Sequence, residues 1–273
     1  METIAYLCFF AFLAGFIDSV VGGGGLIQLP ALLVFLPGAP LPALFGTGKF
    51  AGIAGTTAAM VRYVRTVKIN YLAILPAALA AFACSFLGAR ALSHLDTNLL
   101  KPLILVLLVL VAVYTFIRKD FGALHAPKLT ETKEKLYGLL IGASIGFYDG
   151  FFGPGTGSFL IFIFIGIFGF NFLAASAASK VVNVATNFSA LLYFAFKGYV
   201  IYEVAIPMAV CSVIGSQLGT RTALKRGVGF VRVLFLVVVS GIIIKFAYDT
   251  YGTGGNDFNQ LATTVQQWFG RKG

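Results

Sequence analysis

Apolar residues run along this chain in long blocks, each closed by charged or helix-breaking positions. In the first half the blocks lie at 3–21, 44–64, 71–89 and 99–117. In the second they lie at 136–152, 172–196, 200–218 and 228–247. A helix of about 20 apolar residues crosses the roughly 30 Å hydrocarbon core of a bilayer, so these blocks predict membrane helices. Two shorter blocks, 26–36 and 158–168, each follow a glycine cluster. Eleven helical residues rise about 16 Å, roughly half the core, so these two predict broken or re-entrant segments. The only clearly polar stretch, 120–135, divides the chain near its middle.

The two halves repeat. A constant offset of 131, with no gap, lays 11–92 on 142–223, and 18 of those 82 positions are identical. The identities include rare types: Asp18 on Asp149, Lys49 on Lys180, Pro76 on Pro207 and Arg90 on Arg221. Gly22 and Gly24 likewise fall on Gly153 and Gly155. Internal duplication is the simplest explanation. The expected organisation is a first transmembrane repeat over 1–119, a polar linker over 120–135, a second repeat over 136–248 and a tail over 249–273. If each short block crosses, a repeat has five segments and the two repeats are inverted. If it re-enters, a repeat has four full spans and the two are parallel. The Lys and Arg at the block ends give a cytoplasmic excess under either arrangement, and paired broken segments favour inversion. The fold class is therefore an all-α polytopic membrane protein of two tandem repeats with broken or re-entrant helices. In the tail, Phe258, Leu261, Val265, Trp268 and Phe269 recur at near-helical spacing. That pattern fits an interfacial helix, with a disordered end as the alternative.

Composition agrees with the blocks. The chain is 59% hydrophobic and 11% charged, with mean hydropathy +0.92, against about 25% charged in soluble domains. The net charge of +10 sits between the spans, which suits topology and anionic lipid and excludes a nucleic-acid patch. Cys8, Cys84 and Cys211 lie in apolar runs without C-x-x-C spacing and read as small buried hydrophobes. His94 and His125 show no metal-ligand spacing, and no Walker loop or catalytic set is visible, so no cofactor, metal or enzymatic activity is expected. The first block lacks a basic leader and a small-residue cleavage site, so it reads as a retained span.

Ionisable groups inside spans are costly and mark function by default. Four stand out: Asp18, Asp149, Lys49 and Lys180. Each aspartate precedes a glycine break and is followed 31 residues later by a lysine. Small residues surround both lysines and leave room for a cavity. The chemistry such a centre offers is an ammonium for an anion, with backbone N–H donors freed at the glycine breaks. The bland reading is a set of Asp–Lys bridges that only lock the bundle. Lys180, Asn183 and Asn187 share one helix face, matched in the first half by Lys49, Gly52 and Thr56, so the second half is the more polar. The candidate binding set is Lys49, Lys180, Asn183, Asn187, Ser158, Gly24, Gly155 and Thr156. Asp18 and Asp149 take a structural or proton-coupling role. Arg90 and Arg221 read as interfacial anchors.

The two motifs carry a resemblance. Gly15-Phe16-Ile17-Asp18 with Gly22-Gly23-Gly24-Gly25-Leu26 and Pro30, and Gly146-Phe147-Tyr148-Asp149 with Gly153-Pro154-Gly155-Thr156-Gly157-Ser158, resemble the sulfite exporter TauE/SafE family of bacterial permeases. The resemblance covers roughly 5–248. It implies a secondary permease of the bacterial inner membrane, with no ATP hydrolysis, acting on small sulfur-containing anions such as sulfite, thiosulfate or sulfonates. Its partners would be that small anion and the lipid bilayer. A passive anion channel is the alternative, and the oligomeric state, a homo-oligomer included, stays open.

Overall fold

The computed structural model describes residues 2–69, 71–95, 106, 109–110 and 129–226. Two expected spans, 99–117 and 228–247, and the tail helix over 256–272 lie almost wholly outside the described residues. Among the described residues eight helices have defined bounds and there is no strand. They are α1 (Glu2–Val21), α2 (Gly25–Phe35), α3 (Leu41–Thr66), α4 (Tyr71–Ser93), α5 (Glu131–Phe151), α6 (Thr156–Gly166), α7 (Phe172–Phe196) and α8 (Tyr202–Arg226). By length and composition α1, most of α4 and most of α8 are each apolar enough to cross a membrane, and α2 and α6 are the short apolar pieces. Helix α5 starts at Glu131, so the last residues of the polar 120–135 stretch form its first turn. Their acidic Glu131 and Glu134 suit a helix N-terminus.

Local chemistry sets the breaks. Gly22 and Gly153, equivalent by register, have φ of 79° and 92°. That left-handed conformation ends a helix and favours glycine. The chain then turns back. Phe35 at the end of α2 stacks on Tyr6 near the start of α1, with ring centroids 5.4 Å apart. So α1 and α2 form an antiparallel hairpin whose tip is the glycine cluster. Helices α5 and α6 are joined by the second glycine cluster, held at that tip by Tyr148 against Phe159 and by the Tyr148 hydroxyl donating to Pro154 O at 2.7 Å.

The helices sort into two bundles, and each bundle borrows one helix from the other half. Helix α8 packs along α1 and α3, while α4 packs along α5 and α7. The same contacts recur at the 131-residue offset. Ser216 Oγ donates to Gly55 O at 2.6 Å, and Ser85 Oγ donates to Thr186 O at 2.8 Å. Small residues permit this closeness, as is usual between membrane helices. Gly142, Gly146 and Gly150 lie one turn apart on α5 and touch the backbone of Ala77, Ala81 and Ser85 in order. That order makes α4 and α5 parallel. The bundles meet where α3 lies against α7 and where α1 reaches α6. Gly46 abuts Phe194, and Thr56 shares Asp18 with Lys180, so α3 and α7 cross antiparallel.

Basic residues gather at one end of the assembly. Arg62, Arg65 and Lys68 close α3, Lys133 and Lys135 open α5, and Arg221 and Lys225 close α8. Arg90 and Lys197 lie at the other end.

A side chain at Gly146 would strike the Ala81 backbone. Gly146→Leu should therefore lower the melting temperature in detergent, by overpacking worth about 1–3 kcal/mol. Gly166→Ala, where an added Cβ meets nothing within 4 Å, should leave it unchanged. Equal melting temperatures for the two variants would contradict the packing described.

Candidate functional site

The hairpin tips meet inside the protein. Ser158 N donates to Gly22 O at 3.0 Å and Ser158 Oγ to Val21 O at 2.7 Å, joining the start of α6 to the end of α1. Gly22 packs on Gly157, and Gly25 on Pro154. Ser179 Oγ of α7 fastens the second tip through Gly157 O at 3.0 Å. The Thr156 hydroxyl turns onto Gly153 O at 2.7 Å and closes its own loop. Ser158 and Thr156 are thus occupied in building the tips, and neither borders the space beside them.

Beside the tips lies a cavity of about 80 Å³. A single water needs roughly 10–15 Å³ on this scale, so several waters or one small polyatomic ion would fit. Many of the residues lining it are glycines, Gly24, Gly52 and Gly155 among them, with Leu29, Leu44, Phe45 and Phe152 as apolar wall. The polar side chains at the wall include Asp18, Lys49, Asp149, Asn183 and Asn187. Gln28 and Thr56 also border it, as does Ser212, which no motif in the sequence marks out. Gln28 Nε2 donates to Gly48 O at 3.0 Å and ties α2 to α3. On α7, Asn187 Nδ2 donates to the backbone and side-chain oxygens of Asn183, at 2.8 and 3.0 Å. No hydrogen bond among the described residues uses Asn183 Nδ2, which leaves a neutral donor at the cavity.

The charges pair across the halves. The sequence register groups Asp18 with Lys49 and Asp149 with Lys180, but the structure crosses them. Lys49 Nζ lies 2.6 Å from Asp149 Oδ2, and Lys180 Nζ lies 2.8 Å from Asp18 Oδ2. Lys180 also donates to Asp18 O, and Thr56 Oγ1 donates to Asp18 Oδ2 at 3.2 Å. The reason is geometric: each lysine sits on the helix at the bundle interface, facing the opposite hairpin. Lys180 is fully buried and does not border the cavity. Of the two lysines, only Lys49 does.

Removing one partner of a buried pair strands the other charge, at about 3–5 kcal/mol. Double-mutant cycles on thermal stability should therefore give a coupling of at least about 1 kcal/mol for Lys49 with Asp149 and for Lys180 with Asp18. The within-repeat cycles, Lys49 with Asp18 and Lys180 with Asp149, should stay within about 0.5 kcal/mol of additivity. The reverse pattern would refute the crossed pairing.

Known proteins similar to this chain agree on one class. The sulfite exporter TauE/SafE family model matches residues 7–246. The chain is 35% identical over 246 residues to a probable membrane transporter protein, ORF9, of a Sinorhizobium species, covering 90% of this chain and 93% of the relative. It is 31% identical to a probable membrane transporter protein of Haemophilus influenzae, over 91% of this chain and 96% of that protein. It is 32% identical to the probable membrane transporter protein YfcA of Escherichia coli, over 91% of each. No solved structure matches it. Helices apolar enough to span a bilayer, a cavity with charged side chains at two glycine breaks and a match over nearly the whole length lead to one statement: the chain is a membrane transporter protein of the sulfite exporter TauE/SafE family.

Proposed function

We propose that this protein is a secondary permease of the bacterial inner membrane that moves small sulfur-containing anions, such as sulfite, thiosulfate or sulfonates, through the cavity between its two bundles. The observation that carries the reading is Lys49 at the wall of a small cavity that Asn183 also lines, with no hydrogen bond among the described residues using the Asn183 amide nitrogen. The Gly24 and Gly155 backbone at the tips adds further polar wall. An ammonium and neutral donors suit an oxyanion, and a cavity of about 80 Å³ suits a small one. The sulfur in the substrate is taken from the name of the family.

In this reading the two halves are inverted repeats, each led by a re-entrant hairpin. Two features support it: α3 and α7 are equivalent by register yet antiparallel, and α2 folds back along α1. The sequence alternatives tied inversion to a crossing short segment. A hairpin that enters and leaves on one side gives the same inversion, because its first helix does not cross either. The basic end, with Arg62, Arg65, Lys133 and Arg221, then faces the cytoplasm, and α1 begins on the opposite side. Tips that meet beside the cavity favour a permease over an open channel. The two bundles rock about the α3–α7 contact to expose the cavity to each side in turn.

Purified protein in vesicles tests the assignment. Lys49→Ala should lower kcat/KM for thiosulfate counterflow at least about tenfold, since a charge-assisted hydrogen bond contributes about 1.5–3 kcal/mol. Counterflow unchanged in Lys49→Ala would remove Lys49 from the site. Flux without saturation or counterflow in the parent protein would favour the channel.

A further inference from the structure

The two ion pairs are equivalent by register but not by setting. Asp18 is held three ways: its carboxylate accepts from Lys180 and Thr56, and its backbone carbonyl accepts from Lys180 as well. At the position matching Thr56, the second half has Asn187, and that amide is turned onto Asn183. Among the described residues, Lys49 is therefore the only side chain that donates to Asp149. Both members of this barer pair border the cavity, whereas Lys180 stands behind Asp18. The Asp18 carboxylate is held by two donors; the Asp149 carboxylate accepts from Lys49 alone among the described side chains, although it is the more buried of the two, 2% exposed against 16% for Asp18.

The charge count matters as much as the geometry. Lys49 is matched by Asp149 and Lys180 by Asp18, and no other cation borders the cavity among the described residues. An anion arriving alone would add an uncompensated charge in a buried site, and it would compete with a carboxylate for Lys49.

We propose that the anion binds together with one proton, that Asp149 takes up this proton, and that Lys49 is thereby released to the anion while the Lys180–Asp18 pair stays closed. The inference rests on the permease reading above. The proton comes from the aqueous phase and forms an O–H bond on the Asp149 carboxylate. The Lys49 N–H that had been donated to Asp149 is then donated to an oxygen of the anion. No other bond changes, and the summed charge of site plus monoanion stays at zero. A monoanion therefore travels without net charge, whereas a dianion carries one negative charge across.

The groups that face Asp149 are few. From α3 it meets Lys49, and its own neighbour Tyr148 points its hydroxyl at Pro154 O. Across the cavity stand Asp18, with Lys180 behind it, and the neutral Asn183 and Asn187. Helix α6 has no ionisable side chain, and α4 has only Tyr71, Cys84 and exposed Arg90, none at the cavity. Among the described residues, no other group at the cavity is placed to take the proton in its stead without breaking the Lys180–Asp18 pair.

Methanesulfonate is the probe, because it stays a monoanion from mildly acidic to mildly alkaline solution. Its binding to the full chain in detergent is followed by titration calorimetry in buffers of different ionisation enthalpy, which counts protons taken up. The expected result is close to one proton per anion on the alkaline side, with affinity falling about tenfold per pH unit there. Asp149→Asn, which imitates the protonated acid, should bind with no proton uptake and no pH dependence. Binding without proton uptake by the parent protein overturns the inference and leaves the permease reading standing. So does uptake that persists in Asp149→Asn and disappears in Asp18→Asn. Should Asp149→Asn fail to fold, the proton count of the parent protein decides alone. If the parent protein binds none of methanesulfonate, thiosulfate and sulfite, the permease reading falls, and this inference with it.

Discussion

Two buried lysines must find counter-charges, and each finds its partner in the opposite half of the chain. A cation buried without a partner would be untenable in this apolar setting. Neither half therefore satisfies its own charges, and neither holds its own fourth helix, since α4 and α8 are exchanged between the bundles. The crossed pairs fix where the hairpins stop relative to one another. They also set the lysines at two places along antiparallel α3 and α7, one on each flank of the tip contact. Buried ion pairs rarely add much net stability over apolar packing. Their value here is in specifying which surfaces meet.

The cavity is the counterpart of that constraint. It exists in part because side chains are missing: a Cβ at Gly52 on α3 would meet nothing within 4 Å, whereas the tip glycines let backbones touch. The same small residues let α1 approach α8 and α5 approach α4 at backbone distance. Close packing around the rim and open space at the centre thus come from one residue type used at different register positions. Asymmetry enters through a few substitutions between the halves. Thr56 became Asn187 and Gly52 became Asn183, so the second half supplies neutral donors while the first supplies the lysine at the wall. That division agrees with the proposed handling of an anion and a proton by one pair, with the other pair held closed.

Much of this was legible in the residues. Helix α7 has the bounds expected from hydropathy, and α1, α2 and α6 depart from theirs by one or two residues. The glycine breaks, the membrane class and the family were legible too. The start of α5 was not, because charged residues in a first helical turn look like linker. The pairing of charges was also hidden. A repeat register shows which residues are equivalent, not which ones touch, and in a structure with crossed halves those differ. Lys180 and Lys49 carry the same identity at the same register, yet only the three-dimensional packing separates the buried one from the one at the cavity wall. Ser158 and Thr156 were drawn to the site by their place at a glycine break, but their hydroxyls are consumed by carbonyls that the turns expose. Ser212 lies on an otherwise apolar stretch and gave no signal.

The meeting of the two hairpin tips carries the whole account, and a cross-link tests it directly. A Cβ added at Gly25 would lie 3.6 Å from Pro154 Cβ, within the 3.5–4.5 Å range of disulfides. In a chain with Cys8, Cys84 and Cys211 replaced by serine, Gly25→Cys with Pro154→Cys should oxidise to an intramolecular disulfide. The product should lose thiosulfate counterflow and regain it on reduction. Failure of the two cysteines to join within one chain in the folded protein would contradict opposed hairpins that meet at a shared site.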